Sequence, residues 1–241
     1  TQFFTMISCS LHGIVEAEYH LDWLPLVSIF GSDDCVASGE HCHISNSHIY
    51  YPKYNTTISL ILDYGDPNLF NYYKIGHLTS NDIILMNRGV HVHREDRMIK
   101  ELRTFFDQYL TDPISKRPMI IWRETSPQHF HTPNGHYDKE TRFMPCQAYA
   151  NHTLAYETDY YNRDADQWFS NFKQIPVMRI WNVTSIAWDQ HILQQNRTDE
   201  ENRQDCTHYC ENSGVYYYWR EILYNILPLV IQYRENSTNT R

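Results

Sequence analysis

The sequence predicts an α/β fold in which helices cover a mainly parallel β-sheet. Short runs of aliphatic and β-branched residues alternate with longer segments whose apolar residues recur at helical spacing. Strands that alternate with helices in this way are typical of βα units, which build parallel sheets. The 241 residues are 41% hydrophobic with 8 glycines, so the chain has enough apolar material for a substantial core and does not have the composition of a disordered protein.

Strands are predicted where β-branched and aliphatic residues run together between turn signals. The predicted strands are residues 22–30, 56–63, 82–87, 117–122 and 176–181. The strand over residues 56–63 is followed by the turn Tyr64-Gly65-Asp66-Pro67. We expect the strand over 56–63 and the one over 82–87 to be buried.

Helical periodicity marks four further segments. Along residues 95–110 the apolar side chains return every three or four positions, and Thr184 or Ser185 can cap a helix over residues 184–195. Pro228 should bend or end the last helix, because proline has no backbone N–H to donate. The predicted helices are residues 1–12, 95–110, 184–195 and 215–232.

Two polar regions are predicted to be irregular. Residues 31–48 contain Cys35 and Cys42 and are interpreted as a loop that a disulfide can tie. The nearby histidines make a weak metal motif, since structural zinc sites use closer cysteine spacing. Around residues 131–175 we expect a loop-rich insertion, with surface loops and short helices where residues 138–171 lack clean periodicity.

The charge balance argues against a nucleic-acid partner. The formal net charge is −9 and the chain has no block of lysines or arginines, whereas contact with a phosphate backbone needs clustered positive charge. An anionic membrane surface is disfavoured for the same reason. The 19 tyrosines suit carbohydrate surfaces as well as cores with a wet edge.

Cysteines and glycosylation sequons predict the secretory pathway, either the Golgi lumen or the cell exterior. The six cysteines allow three disulfides in any of fifteen pairings. N-x-S/T sequons occur at Asn55, Asn151, Asn182, Asn196 and Asn236. The sequence has no recognisable signal peptide, and Arg220, Glu221 and Pro228 interrupt the apolar C-terminal segment, which is therefore predicted to be a packed helix.

The stretch QDCTHYC, predicted to be a loop, places Asp205 and His208 three residues apart, beside Cys206 and Cys210. A carboxylate so placed can fix the tautomer and orientation of the imidazole, and the imidazole can then move a proton. Such a pair is half of an acyl-transfer site.

Acyl transfer also needs a nucleophile and a donor for the developing oxyanion. Ser32 is a weak nucleophile candidate, because its polar loop lacks the strand–turn–helix setting that activates a serine. Asn87 follows a predicted strand and can donate its amide to an oxyanion, although a turn or capping asparagine is an equally good interpretation of the residue alone. Asn87 and Arg123 both fall at strand ends, where parallel sheets bind ligands.

Four stretches occur in a recognisable order: YNTTISL (54–60), DIILMNRG (82–89), WRETSPQHF (122–130) and QDCTHYC (204–210). In this order they resemble the plant-type polysaccharide O-acetyltransferases, the trichome-birefringence-like proteins of the PC-esterase group. The likeness covers nearly the whole chain. Its most specific parts are SP-x-HF and DC-[ST]-H-x-C.

The resemblance implies a three-layer αβα sandwich of the GDSL/SGNH type, formed by a single domain over residues 1–241, with a mainly parallel sheet and no cofactor or metal. The implied site residues are Asp205 and His208 for catalysis, Asn87 and Gly65 for the oxyanion, and Arg123 and His129 for substrate binding. The oxyanion glycine rests on the weakest match.

The chain departs from the family in four places. The family N-x-G-H-W is Asn87-Arg88-Gly89-Val90-His91 here. Tyr209 stands where the family has Trp, and Glu211 to Gly214 replace its Leu-Pro-Gly. A Gly-Asp-Ser motif does not occur in the sequence, yet TQFFTMISCSL resembles the helix that follows this motif in the family. We therefore expect the first strand and the nucleophilic serine to lie upstream of Thr1, where a membrane anchor can also be placed, and we expect the 241-residue fragment to be inactive alone.

The expected function is O-acetyl transfer to a glycan, or hydrolysis from one, with an acetyl donor and a polysaccharide as partners. A non-catalytic secreted module for glycan binding or adhesion is the alternative. A metal-dependent hydrolase that uses His91, His93, His129 and His131 is a weaker one.

Overall fold

The computed structural model describes residues 46–61, 78–90, 95–172, 174–192, 205–210 and 213–239. The chain divides into two units, Thr1–Leu69 and Phe70–Arg241. The helix predicted over residues 1–12, the strand over 22–30 and the turn that contains Gly65 all lie outside the described residues.

In the first unit the described residues form a β-hairpin. Strand β1 (Asn46–Tyr51) pairs antiparallel with β2 (Thr56–Ile61) along its whole length. Pro52 ends β1, because it cannot donate to the ladder, and begins a short 3-10 turn. Asn55 closes the turn with a φ of 47°, a left-handed conformation that asparagine tolerates.

One of these strands is predicted from the sequence and the other is missed. The strand predicted over residues 56–63 is confirmed over β2, although Thr56, Thr57 and Ser59 are exposed rather than buried. The loop predicted over residues 31–48 is wrong at its carboxyl end, where β1 begins. The polar start of β1 hides it, since backbone pairing with β2 defines this strand and an apolar side-chain pattern does not.

The second unit contains a parallel sheet of three strands in the order β3–β4–β5. These strands are β3 (Ile83–Met86), β4 (Met119–Arg123) and β5 (Val177–Met178). The central strand is buried along Met119 to Trp122 and is more open only at Arg123. The predicted α/β class is confirmed as a mixed α/β architecture with a parallel sheet, and the αβα sandwich remains a prediction.

Helix α1 (Glu95–Thr111) confirms the helix predicted over residues 95–110. The side chains of Leu102, Phe105, Phe106 and Tyr109 are buried on one face. The Phe106 ring packs edge-on against Phe169 at 5.2 Å, and Phe169 lies 4.9 Å from the Trp122 ring of β4. This aromatic cluster joins the helix to the middle strand of the sheet.

The region predicted as an insertion contains two short helices, α2 (His152–Thr158) and α3 (Tyr160–Phe169). Asn151 and Asp159 cap them by accepting hydrogen bonds from the N–H groups of Leu154 and Tyr161. Short helices were expected here, and α3 is partly buried. The buried residues of α3, both polar and apolar, are Tyr161, Asn162, Asp164, Ala165 and Phe169.

The helix predicted over residues 184–195 is wrong across its described residues, 184–192, where the only helical turn after Thr184 is the 3-10 turn Trp188–Gln190. The chain instead forms a single helical turn, α4 (Trp181–Thr184), and then the short strand β6 (His191–Ile192). The buried Glu124 carboxylate accepts the N–H groups of Ile180 and Trp181 at 2.7 Å each, which starts the helix earlier than the predicted cap. Tertiary contacts therefore override the helical periodicity of the segment.

The QDCTHYC stretch is a strand rather than a loop. Strand β7 (Asp205–Tyr209) pairs antiparallel with β6, and the register shifts between His191 and Ile192. Cys206 and Tyr209 of β7 are buried, while His208 is exposed.

Helix α5 (Gly214–Asn239) closes the described part of the chain. The predicted helix over residues 215–232 is confirmed, but the helix continues through Pro228 instead of ending there. Val215, Tyr216, Trp219, Leu223 and Val230 form its buried face. None of the helices in the described residues combines the length with the hydropathy that a membrane span requires.

Candidate active site

Asp205 and His208 form a hydrogen-bonded pair within strand β7, three residues apart along the chain. The Nδ1 atom of His208 lies 2.8 Å from Oδ2 of Asp205 and 3.1 Å from Oδ1. Because the carboxylate accepts from Nδ1–H, the tautomer of the ring is fixed with its Nε2 free to accept a proton. This is the arrangement that the sequence spacing suggests.

The backbone holds the Asp205 carboxylate in place. Its Oδ1 atom accepts the N–H groups of Thr207 at 3.1 Å and His208 at 3.0 Å. Burial alone raises the pKa of Asp205, but the hydrogen bonds from the His208 side chain and from these backbone groups outweigh it and leave the pKa below its usual value. The carboxylate is therefore ionised across the neutral range.

The electrostatic effect on His208 has the opposite sign. Its hydrogen bond to Asp205 raises the pKa of the imidazole, and partial burial opposes this. The His208 side chain is 54% exposed, against 19% for Asp205. Its Nε2 atom has no hydrogen bond to any described residue, so one face of the pair is open to an incoming molecule.

Cys206, between the pair, is anchored to the core. Its sulfur forms a disulfide with Cys146, and its carbonyl accepts the N–H of His129 at 2.9 Å. The Gln128 amide donates to Thr207 Oγ1 at 2.7 Å. This confirms one disulfide and is compatible with a secreted or luminal protein. Among the described cysteines Cys210 is a free thiol, whose Sγ–H donates to the His191 carbonyl, and Cys9, Cys35 and Cys42 lie outside the described residues.

Two buried histidines, His191 and His129, lie one after the other behind His208, and we call them the histidine row. His191 Nδ1–H donates to the His208 carbonyl at 3.0 Å, and His191 Nε2 lies 2.7 Å from His129 Nδ1. His129 Nε2 lies 3.0 Å from the Ser185 carbonyl oxygen. Two neutral imidazole rings carry two N–H protons, so they supply hydrogen bonds at two of these three contacts. Burial lowers the pKa of His129 to about 3 and that of His191 to about 4.

His129 does not fit the substrate-binding role expected from the resemblance. Its side chain is 0% exposed, and both ring nitrogens are engaged inside the protein. The residue supports the backbone of His208 and is inaccessible to a glycan. Sequence reasoning also missed His191, because it was assigned to a helix. The position of His191 follows from its pairing with Tyr209 of β7, a contact between residues 18 positions apart that local periodicity does not show.

Asn87 and Arg123 lie together at the carboxyl edge of the parallel sheet. The Asn87 Nδ2 atom donates to the Arg123 carbonyl and to Thr125 Oγ1, both at 3.0 Å. Both amide hydrogens are therefore used within the protein. Asn87 would have to leave Thr125 to stabilise an oxyanion, and that role remains a prediction. Gly65, the other oxyanion candidate, lies outside the described residues.

The Arg123 side chain lies on the face of Trp219, with Cζ 5.1 Å from the ring centroid. Trp219 in turn donates Nε1–H to Thr184 Oγ1 at 2.8 Å and packs edge-on against Tyr209 at 6.1 Å. Tyr209 is the neighbour of His208 on β7. Arg123 is thus linked through Trp219 and Tyr209 to the strand that carries His208.

Comparison with known proteins leaves this site to be judged on its own geometry. No protein family, no curated protein and no solved structure matches the chain. Of the histidines in the metal alternative, His91 and His93 lie outside the described residues, and His129 has no free ring nitrogen. The described side chains include no group of three or more suited to hold a metal ion.

Proposed function

We propose that this protein transfers O-acyl groups to or from a glycan by a Ser-His-Asp mechanism, with a serine supplied by sequence upstream of Thr1. The observation that carries the proposal is the Asp205–His208 pair, whose carboxylate binds Nδ1 at 2.8 Å and leaves Nε2 open. A general base needs this combination of fixed tautomer and accessible nitrogen. The resemblance of four ordered sequence stretches to the PC-esterase group supports the same chemistry.

In the proposed reaction the serine hydroxyl attacks the acyl carbonyl of the donor while His208 Nε2 takes its proton. The tetrahedral intermediate collapses, the donor oxygen leaves with that proton, and an acyl-serine remains. His208 then takes a proton from a sugar hydroxyl or from water, which attacks the acyl-serine and releases the serine. Asp205 stabilises the imidazolium formed in each half-reaction.

Two groups are proposed as oxyanion donors. Asn87 is assigned to this role by its position after β3 and by the resemblance. Its amide would exchange its contact with Thr125 Oγ1 for the oxyanion. A backbone N–H of Gly65 is the second proposed donor.

The test uses the protein extended upstream to include the expected Gly-Asp-Ser. Acetate release from an activated acetyl ester should fall by about 10³-fold or more in His208→Ala and Asp205→Asn. Asp138→Asn is a matched control, because Asp138 Oδ1 likewise accepts a backbone N–H, from Glu140 at 2.6 Å, and Asp138 is an exposed residue of the 131–175 region. Full turnover in His208→Ala, or an upstream sequence without a Gly-Asp-Ser serine, would refute the proposal.

A glycan-binding module is the second candidate, and exposed aromatic side chains favour it. Tyr217 and Tyr218 on α5 are 55% and 60% exposed, and the Arg220 guanidinium lies over the Tyr217 ring at 4.5 Å. Flat aromatic faces of this kind can stack on sugar rings. Glycan binding that survives Tyr217→Ala would exclude this surface, and binding by an extended protein without any turnover would favour the module over the enzyme.

A further inference from the structure

Arg123 occupies the position in the sheet where a ligand is expected. It is the last residue of β4, the middle strand of the order β3–β4–β5, and pairs with Met178 of β5. In open parallel sheets ligands bind at the carboxyl ends of the strands. The strand brings a positive charge to this edge, where Met119, Ile120, Ile121 and Trp122 before it are buried and apolar.

The guanidinium of Arg123 lacks an anionic partner among the described residues. Its Nη1 atom is inaccessible to solvent and has no hydrogen-bond acceptor. The side chain as a whole is half-buried, so a ligand can meet only the rest of the guanidinium. Arg179, by comparison, bonds to the carboxylates of Glu124 and Asp166. A cation withdrawn from water without a counter-ion destabilises the protein, and an anionic ligand removes that penalty.

The pKa of Arg123 reflects this environment. Burial lowers it to about 10, and the Tyr216 side chain opposes the shift slightly. Even so the guanidinium is charged throughout the neutral range. The chain therefore maintains an uncompensated positive charge at the sheet edge although its formal net charge is −9.

The geometry around the guanidinium suits a planar, singly charged acceptor. Trp219 covers one face of the guanidinium, and its hydrogen bond to Thr184 fixes the indole. What remains for a ligand is the edge of the guanidinium, whose N–H groups match the two oxygens of a carboxylate. A phosphate could use the same N–H groups, so the binding test below includes inorganic phosphate as a competitor.

We propose that Arg123 binds a carboxylate of the ligand, so that the glycan recognised by this protein is acidic and carries uronate residues. The assignment of a glycan rests on the proposed function, whereas the carboxylate site itself rests on the Arg123 geometry. Because Trp219 contacts both Arg123 and Tyr209, a uronate held here lies beside the strand that carries His208. The neighbouring sugar hydroxyls are then candidates for the acyl acceptor.

The binding test compares a trimer of galacturonate with the same trimer after reduction of its carboxyl groups to alcohols. By isothermal titration, the acidic trimer should bind at least about tenfold more tightly to the native protein. Arg123→Gln should lose that preference, and Arg123→Lys should retain only part of it, because lysine keeps the charge but lacks the planar fork. Arg103→Gln, an exposed position on α1, makes the same change in net charge and should bind both trimers as the native protein does.

Equal affinity of the native protein for the two trimers would overturn the proposal without any variant that might misfold. Unchanged discrimination in a folded Arg123→Gln protein would also overturn it, as would binding of inorganic phosphate at this residue in preference to the acidic trimer. The proposed reaction is tested separately, by the acetate release that His208→Ala should lose. Arg123-dependent binding without acyl transfer would refute the reaction and leave the carboxylate site standing.

Discussion

Glu124→Gln should destabilise the second unit, because the Glu124 carboxylate organises the segment that leads to the histidine row. The side chain is 3% exposed. One of its oxygens accepts the N–H groups of Ile180 and Trp181 at 2.7 Å, and the other accepts Arg179 Nη1 at 2.9 Å. These contacts start α4, which is followed by Ser185, the acceptor at the end of the row.

The expected magnitude follows from what glutamine can retain. A single amide oxygen can still accept the two backbone N–H groups, but without a full negative charge. Its NH₂ group then faces Arg179, which is also a donor. Hydrogen bonds to charged groups contribute about 1.5–3 kcal/mol each, so we expect a loss of about 2–4 kcal/mol and a fall in Tm of roughly 5–15 °C.

Urea unfolding followed by tryptophan fluorescence measures this loss, since Trp181 donates its backbone N–H to the carboxylate. Glu157→Gln on α2 is the matched control, because Glu157 is exposed, and it should change stability by less than about 0.5 kcal/mol. Arg179→Gln should lose about 1 kcal/mol or less, since the arginine side chain is 56% exposed. A Glu124→Gln protein as stable as its control, or no less stable than Arg179→Gln, would refute the reasoning.

Three further predictions concern the pair, the disulfide and the sequons. Asp205→Asn should lower the pKa of His208, observed by NMR titration of the ring. The stability contributed by the raised pKa of His208 is lost as pH rises through the pKa of His208 in the folded protein. The stability contributed by the lowered pKa of Asp205 is lost as pH falls through the pKa of Asp205 in the folded protein. The native protein should therefore exceed Asp205→Asn in stability most between these two pKa values, and a difference that does not vary with pH contradicts the pairing. The Cys146–Cys206 disulfide spans 60 residues, and its replacement by two alanines should lower the free energy of unfolding by about 4 kcal/mol in urea titrations, with coincident curves as the contrary result. Protein from a secretory host should lose glycan mass on endoglycosidase treatment, site by site in Asn→Gln variants, at the exposed sequons Asn55, Asn151, Asn182 and Asn236.

Local patterns predict those parts of the fold that are set by local energetics. The apolar face of α1 and the aliphatic runs of β3 and β4 are found from the sequence because burial of one face or of a whole strand requires these patterns. The Asp205–His208 pair is found from the sequence because its two partners are only three residues apart along the chain. Its hydrogen bond needs no distant element.

Long-range contacts decide the parts that were missed. The segment after α4 has helical periodicity, yet His191 forms hydrogen bonds with residues of β7 and with His129, 62 positions away. Asn87 shows the same limit, because its amide is used by Arg123 and Thr125, 36 and 38 positions away. Sequence spacing contains no information on such partners, so the role of a polar residue at a strand end stays open until its contacts are known.

The contacts around His208 fix its backbone and leave its ring accessible. Its N–H is bound by Asp205, and its carbonyl is bound by His191. The disulfide of Cys206 and the β6–β7 pairing hold the strand on either side. A proton-transfer group works best when its position is set in advance by neighbours that do not react, since little reorganisation is then needed during the reaction. His129, in contrast, is 0% exposed, and both of its ring nitrogens face protein atoms. The contrast between these two side chains is the strongest structural argument that His208 acts on a molecule from outside the chain.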